Sequence, residues 1–90
     1  MHKEIWKFPW NSEYNIMTLK DICVDKFLTV QLQHGVPTIW AIVDKKAPSK
    51  TYQVYFVGTG WTLSDSVGNY IGTIQQDGFV WHYFWREVVE

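Results

Sequence analysis

Residues 78–85, near the C-terminus, limit the possible folds more than any other part of the sequence, and they directly follow an Asp77-Gly78 pair. A strand with one face on a core and the other in water alternates apolar with polar residues. In this segment both faces are apolar: Phe79, Trp81, Tyr83 and Trp85 on one, Val80 and Phe84 on the other. Either the rest of the chain covers both faces, or one face is available to a partner.

The aromatic content of the whole chain raises the same question. Ninety residues make at most one domain, which we place at residues 1–90, and so short a chain needs an efficient core to fold alone. Six Trp, five Tyr and five Phe residues supply it, since each ring can bury roughly 150–250 Å². These rings exceed what one small core can hold. Some should therefore form an exposed patch, typical of self-association into a homo-oligomer or of an interface with a partner.

Charge and cysteine content exclude several classes of function. The formal net charge is −1, which gives no field that would draw the chain onto nucleic acid or an acidic membrane. Cys23 is the only cysteine, so no internal disulfide can form and a reducing compartment is indicated. No apolar stretch reaches the length of a signal peptide or the ~18 residues of a membrane span. We therefore expect a cytoplasmic protein without a membrane or nucleic-acid partner.

Seven short stretches have the apolar pattern of β-strands, and nothing favours a long helix. They are residues 5–8, 15–19, 26–33, 39–43, 52–57, 70–74 and 79–84. Turns at His34-Gly35 and Asp77-Gly78 predict two hairpins. The predicted fold class is all-β and mainly antiparallel: a small sandwich or partly open barrel of about six or seven short strands, with at most one or two helical turns. Residues 64–68 form a loop or one such turn.

Two of these strands can be oriented from their residues. The alternation in residues 26–33 predicts that Leu28, Val30 and Leu32 face the core. Phe27 is predicted on the opposite, polar side. Residues 39–43 are apolar on both faces, so we predict that this strand is central in its sheet.

The titratable residues do not assemble into a catalytic or metal-binding motif. The sequence has no H-x-x-x-H or C-x-x-C pattern, no G-x-S-x-G elbow and no carboxylate pair with glycosidase spacing. His82 lies inside the aromatic segment, where a lone histidine is typically packed and hydrogen-bonded rather than a ligand or a base. We therefore expect no enzyme, no catalytic residue, no metal and no cofactor.

The segment Gly58-Thr59-Gly60-Trp61 has the composition of an anion-binding loop. Its glycines can turn backbone N–H groups inward, the Thr59 hydroxyl can donate, and Trp61 can stack on a base. Nearby lysines would add attraction for phosphate: Lys45, Lys46 and Lys50. The segment lacks the spacing of the known phosphate-binding motifs, so a plain β-turn or bulge is the competing interpretation.

A set of motifs spans nearly the whole chain in order: Ile5-Trp6-Lys7-Phe8, Phe27-Leu28-Thr29-Val30-Gln31, Trp40-Ala41-Ile42-Val43-Asp44 with Ala47-Pro48, Gly58-Thr59-Gly60, Tyr70-Ile71-Gly72-Thr73-Ile74 and Gly78-Phe79-Val80-Trp81-His82. Together they resemble a family of small uncharacterised proteins encoded by bacteriophages and prophages. The resemblance implies a viral protein made in the cytoplasm of a bacterial host, and it brings no assigned activity.

The hypothesis that follows is a non-enzymatic phage accessory protein that binds a host bacterial protein in the host cytoplasm, as an inhibitor of an antiviral defence system. Inhibition by occlusion needs no catalytic residue, which fits the sequence. The alternative is a small-molecule binder that sequesters a nucleotide signal with the Gly58–Trp61 loop. The candidate contact residues for the two hypotheses are Trp10, Trp61, Tyr83, Trp85, Lys45 and Lys46, with Gly58, Thr59 and Gly60 of the loop.

Overall fold

The computed structural model describes residues 2–89, and this part of the chain forms seven β-strands and no helix. The strands are β1 (Lys3–Pro9), β2 (Ile16–Ile22), β3 (Val24–Gln33), β4 (Val36–Asp44), β5 (Lys50–Gly58), β6 (Asn69–Gln76) and β7 (Phe79–Val88). The all-β prediction is confirmed. Within residues 2–89 there is accordingly no helix long and apolar enough to cross a membrane.

The strands form two sheets that face each other. One has three strands in the order β1-β4-β3, the other has four in the order β2-β5-β7-β6, and every pair is antiparallel. The molecule is only 20 Å thick along its shortest axis, as expected for two sheets about 10 Å apart. The sheets do not close into a barrel, so of the two predicted architectures the small sandwich is correct.

Both predicted hairpins are present, and their turns have the same backbone geometry. His34 and Gly35 join β3 to β4 with φ of 52° and 78°, and Asp77 and Gly78 join β6 to β7 with φ of 53° and 83°. Two successive residues with positive φ define the type I′ turn, whose twist matches that of the flanking strands. The turn residues therefore set the register of both hairpins.

The core lies between the sheets. β4 is the central strand of its sheet, as predicted, and its inward side chains Ile39, Ala41 and Val43 are at most 2% exposed. The other sheet contributes two tyrosines, Tyr52 and Tyr83, which are equally buried. The remaining buried apolar side chains are Met17, Leu19, Phe27, Val30, Val54 and Ile74.

The predicted orientation of β3 is wrong at three positions: Phe27, Leu28 and Leu32. Phe27 and Thr29 pair with the adjacent residues Ala41 and Trp40, so Leu28 is an extra residue in β3, a β-bulge. The bulge shifts the alternation by one residue and turns Phe27 into the core. Leu28 is 38% exposed, and Leu32, next to the hairpin turn, is 41% exposed. Only Val30 of the predicted row is buried.

The aromatic strand β7 has both faces occupied. Trp81, Tyr83 and Trp85 pack with the core. On the opposite face Phe84 lies between two tyrosine rings, at 5.8 Å from the centroid of Tyr55 and 5.6 Å from that of Tyr70.

Residues 59–68 cover part of that outer face. β5 and β6 run in the same direction on either side of β7, so their connection must cross the sheet. It does so on the outside, where the Gly68 N–H donates to the Tyr55 hydroxyl. Within the crossover, the Ser64 hydroxyl accepts a hydrogen bond from the Ser66 N–H. Residues 64–68 therefore form a loop with a turn, and not the helical turn that was the alternative.

Candidate functional site

Three aromatic rings meet at the end of the sandwich where β5 ends and β7 begins. Phe79 stacks on Trp81, with ring centroids 5.4 Å apart and planes at 23°. Trp61 meets the same indole edge-on, at 5.6 Å and 74°. Phe79 is 60% exposed and Trp61 is 50% exposed, while Trp81 is half-buried between them. We call Trp61, Phe79 and Trp81 the aromatic triad.

The triad is anchored on the core through a further layer of rings. Trp81 packs edge-on against Phe56 at 5.1 Å, and Phe56 contacts Trp10 and Tyr83, each at 5.3 Å. Aromatic side chains held in this way have little rotational freedom to lose when a partner binds. The triad is therefore both exposed and fixed in position.

Gly58 allows Trp61 to lie close to the sheet. A Cβ atom at Gly58 would be 2.8 Å from Trp61 Nε1 and 3.2 Å from the Trp81 ring. The Trp61 N–H donates to the Gly58 carbonyl at 3.1 Å, and Gly60 in the same turn has a φ of 90°. The loop is thus a tight turn that folds Trp61 back over the end of β5.

This turn lacks the main features of an anion-binding loop. The Thr59 N–H donates to the Val80 carbonyl at 3.3 Å, and the Trp61 N–H is used within the turn, so neither is free for a phosphate. The β-turn interpretation is confirmed.

The lysines are also in the wrong place for a phosphate at this turn. Lys45 and Lys46 precede β5 whereas the turn follows it, and the nine residues of β5 separate them by roughly 25 Å. Lys45 instead forms an ion pair with Glu4 at 3.2 Å. The expectation that these lysines assist the Gly58–Trp61 loop is therefore wrong.

The predicted aromatic contact residues differ in accessibility. Tyr83 is 1% exposed, and burial raises the pKa of its hydroxyl to about 12, so it is a core residue and not a surface contact. Trp85 is half-buried and stacks on Phe27 at 4.8 Å. Trp10 is half-buried beneath the triad, and its Nε1 donates to the Tyr14 carbonyl. Of these rings only Trp61 is well exposed.

Phe79 and Trp81 are not among the predicted contact residues, because they fall inside the family-like motif Gly78-Phe79-Val80-Trp81-His82. A signal was present in the sequence. Phe79 directly follows the Asp77-Gly78 turn, and the first residue of a strand lies at the end of its sheet, where the facing sheet gives the least cover.

His82 is held by hydrogen bonds on both ring nitrogens, as predicted. Nε2 is 2.8 Å from the Thr59 hydroxyl, and Nδ1 is 3.1 Å from the Thr73 hydroxyl. Thr73 is in turn hydrogen-bonded to the Tyr70 hydroxyl. The imidazole therefore ties the Thr59 end of the crossover to β6, and both nitrogens are engaged.

The hollows beside the triad have no charged lining. Two hollows of about 350 Å³ and 320 Å³ flank Trp61, one toward Phe79 and the other toward Phe84. Neither hollow is lined by a Lys, Arg, Asp or Glu side chain of the described residues, and His82 is the one titratable group. In the same part of the chain no cluster of three His, Cys, Asp or Glu residues could hold a metal ion. The site is built for apolar contact.

Comparison with known proteins gives a family without an assigned role. No curated protein and no solved structure matches the chain significantly. A family model matches residues 1–90, which confirms the expectation of an uncharacterised family. The chain belongs to the family described as "Domain of unknown function (DUF7352)".

Proposed function

We propose that this protein is a non-enzymatic binding protein whose aromatic triad inserts into an apolar groove of another protein. The observation that carries the proposal is the pair of exposed rings, Phe79 and Trp61, fixed on either side of Trp81. Exposed aromatic patches mark interaction sites, and tryptophan is among the side chains most enriched in binding hot spots.

The chemistry of the site favours a protein partner over a nucleotide. A nucleotide needs cations or free N–H groups for its phosphates. The hollows beside Trp61 have no cationic lining, and the N–H groups of Thr59 and Trp61 are already bonded. An apolar protein groove needs neither, so the triad supports the sequestered-nucleotide alternative less well.

The resemblance to bacteriophage-encoded proteins suggests where the partner comes from. A small viral protein made in the host cytoplasm meets host bacterial proteins, and among these the components of an antiviral defence system are the targets we propose. Covering a functional surface of such a component inhibits it by occlusion. That mode of action requires only an exposed anchor of the kind the triad provides.

The test compares variants of the full chain in binding to host protein. Tagged wild type is used to recover a partner from host lysate, and the purified partner is then titrated by calorimetry. We expect Trp61→Ala and Phe79→Ala each to weaken binding by at least about tenfold, as hot-spot residues do. Tyr70→Ala is the matched control, because Tyr70 is 59% exposed but lies near the other end of β7, on the outer face.

Two results would contradict the proposal. One is a partner that binds the Trp61 and Phe79 variants as tightly as the wild type. The other is a wild-type dimer in sedimentation equilibrium that Phe79→Ala converts to a monomer, since the triad would then be an interface between copies of this chain.

A further inference from the structure

A second cavity lies on the outer face of the four-stranded sheet, apart from the triad. The crossover contacts the sheet at Thr59 and Gly68, and its residues between these contacts leave a space of about 270 Å³ over the sheet. One part of its lining is apolar and includes Ile16, Val57 and Leu63. The other part is polar and includes Arg86 and the hydroxyl side chains of the crossover. The cavity therefore combines one cation with an apolar wall.

Arg86 is an exposed residue that two contacts orient, and its terminal nitrogens have no hydrogen-bond partner among residues 2–89. Its Nε donates to Gln53 Oε1 at 3.0 Å, and its guanidinium carbon lies 5.4 Å from the centroid of the Tyr55 ring, a cation–π distance. None of the ion pairs among residues 2–89 involves Arg86. The two terminal amino groups form the fork that binds a carboxylate or phosphate through parallel hydrogen bonds.

The crossover supplies a hydroxyl donor to the same cavity. Ser64 Oγ and Ser66 Oγ are 2.9 Å apart, and Ser64 Oγ also accepts from the Ser66 N–H at 3.1 Å. One hydroxyl proton is used between the two side chains, whichever of them donates. The other proton of the pair remains available to a ligand. Both serines line the cavity, as Arg86 does.

We propose that this cavity binds a small organic oxyanion, with its carboxylate or phosphate on Arg86 and the serine pair and its apolar body against the Ile16 and Leu63 side. Arg86 is the one cation among the lining residues, so the cavity can pair with one carboxylate or phosphate group. Asp65 is exposed and does not line the cavity, so its carboxylate does not occupy the place of the anion. The volume suits a ligand of roughly ten non-hydrogen atoms. This proposal is independent of the role of the triad.

The probes are benzoate and phenyl phosphate, with benzamide as the neutral analogue, titrated into the ¹⁵N-labelled full chain. A ligand of this size in an open site should bind with a Kd on the order of 1 mM. We expect both anions to shift the amide signals of Ser64, Ser66 and Arg86, and benzamide to bind at least about tenfold more weakly. The ratio of the two anion affinities distinguishes carboxylate from phosphate as the preferred group.

Variants of the cavity separate a specific site from general attraction of anions. Arg86→Gln should weaken binding by at least about tenfold, and Arg86→Lys should restore only part of it because an ammonium lacks the fork. Ser66→Ala tests the site without changing charge and should weaken binding a few-fold. The control is Lys50→Gln, which removes an exposed cation that does not line the cavity and should leave the affinity unchanged.

Three outcomes would overturn the proposal. They are the absence of shifts at Ser64, Ser66 and Arg86 up to about 10 mM probe, well above the expected Kd; equal shifts from benzamide; and equal losses from Arg86→Gln and Lys50→Gln.

Discussion

Gly58 lies directly beneath the indole of Trp61, so close that a Cβ atom at Gly58 would be 2.8 Å from Nε1. The backbone of Gly58 does not have a positive φ, so alanine suits its conformation and only the indole contacts oppose it. We predict that Gly58→Ala displaces Trp61, destabilises the fold by about 1–2 kcal/mol and alters the near-ultraviolet circular dichroism of the Trp61–Trp81 pair. Chemical denaturation and the spectrum measure the two effects.

The indole can be removed to check that it causes the loss. In a Trp61→Ala background most of the cost of Gly58→Ala should disappear, because the atom that the new methyl meets first is gone. Additive losses in the double variant would show that Trp61 does not cause the loss, and would leave the Trp81 ring, 3.2 Å from the new Cβ atom, as the group that requires glycine.

The bulge in β3 predicts an unusual order of mutational effects. Phe27 is 9% exposed and stacks on Trp85 at 4.8 Å, so Phe27→Ala should cost about 3–5 kcal/mol. Leu28, at 38% exposed, is the extra residue of the bulge, and Leu28→Ala should cost less than about 1 kcal/mol. Urea unfolding of both variants measures the difference. Equal losses, or a larger loss at Leu28, would show that Leu28 faces the core and that β3 alternates regularly, without the bulge.

The same bulge shows which parts of the fold sequence patterns can predict. The turns at His34-Gly35 and Asp77-Gly78 depend on the residues themselves, since Gly and Asp tolerate the left-handed backbone more readily than most residues. The central position of β4 follows from its two apolar faces. The extra residue at Leu28 depends on pairing with β4, a non-local interaction that alternation within β3 cannot show.

The candidate site was predictable only in part, for the same reason. Trp61 is exposed as predicted, but the exposure of Phe79 and the burial of Tyr83 depend on how far the facing sheet extends over β7. Lys45 and the Gly58–Trp61 turn lie roughly 25 Å apart because β5 runs between them. Neither segment shows this separation when its own residues are considered alone. The nucleotide alternative therefore combined residues that are chemically suitable but that the fold does not bring together.

The stability of the fold should fall at alkaline pH because of Tyr83. Burial raises the pKa of its hydroxyl from 10.0 to about 12, so the folded state holds a proton that the unfolded state releases above pH 10. The contribution is complete below pH 10 and is lost as the pH rises toward 12. We expect the free energy of unfolding to fall by roughly 1 kcal/mol between pH 10 and 11, measured by urea denaturation.

Burial also raises the pKa of Tyr52, which adds to the fall in the same direction. Tyr83→Phe should therefore make the decline shallower without abolishing it. Tyr14→Phe, at a side chain 72% exposed, is the matched control for the substitution itself. An unchanged slope in Tyr83→Phe would mean that its hydroxyl ionises as readily in the folded chain as in the unfolded one.

The hydrogen bond between the Thr59 hydroxyl and His82 Nε2, 2.8 Å long, should hold the turn that carries Trp61. Thr59→Val keeps the side-chain shape but removes the bond, at a cost of about 1 kcal/mol. We expect the backbone amide of Trp61, which donates to Gly58 within that turn, to exchange with solvent about five- to tenfold faster. Thr73→Val breaks the bond on the other side of His82 and should leave this rate nearly unchanged, because Thr59 keeps its partner. Equal acceleration in both variants would show that the imidazole acts through β6, whereas no acceleration in either would show that the turn is held by its backbone alone.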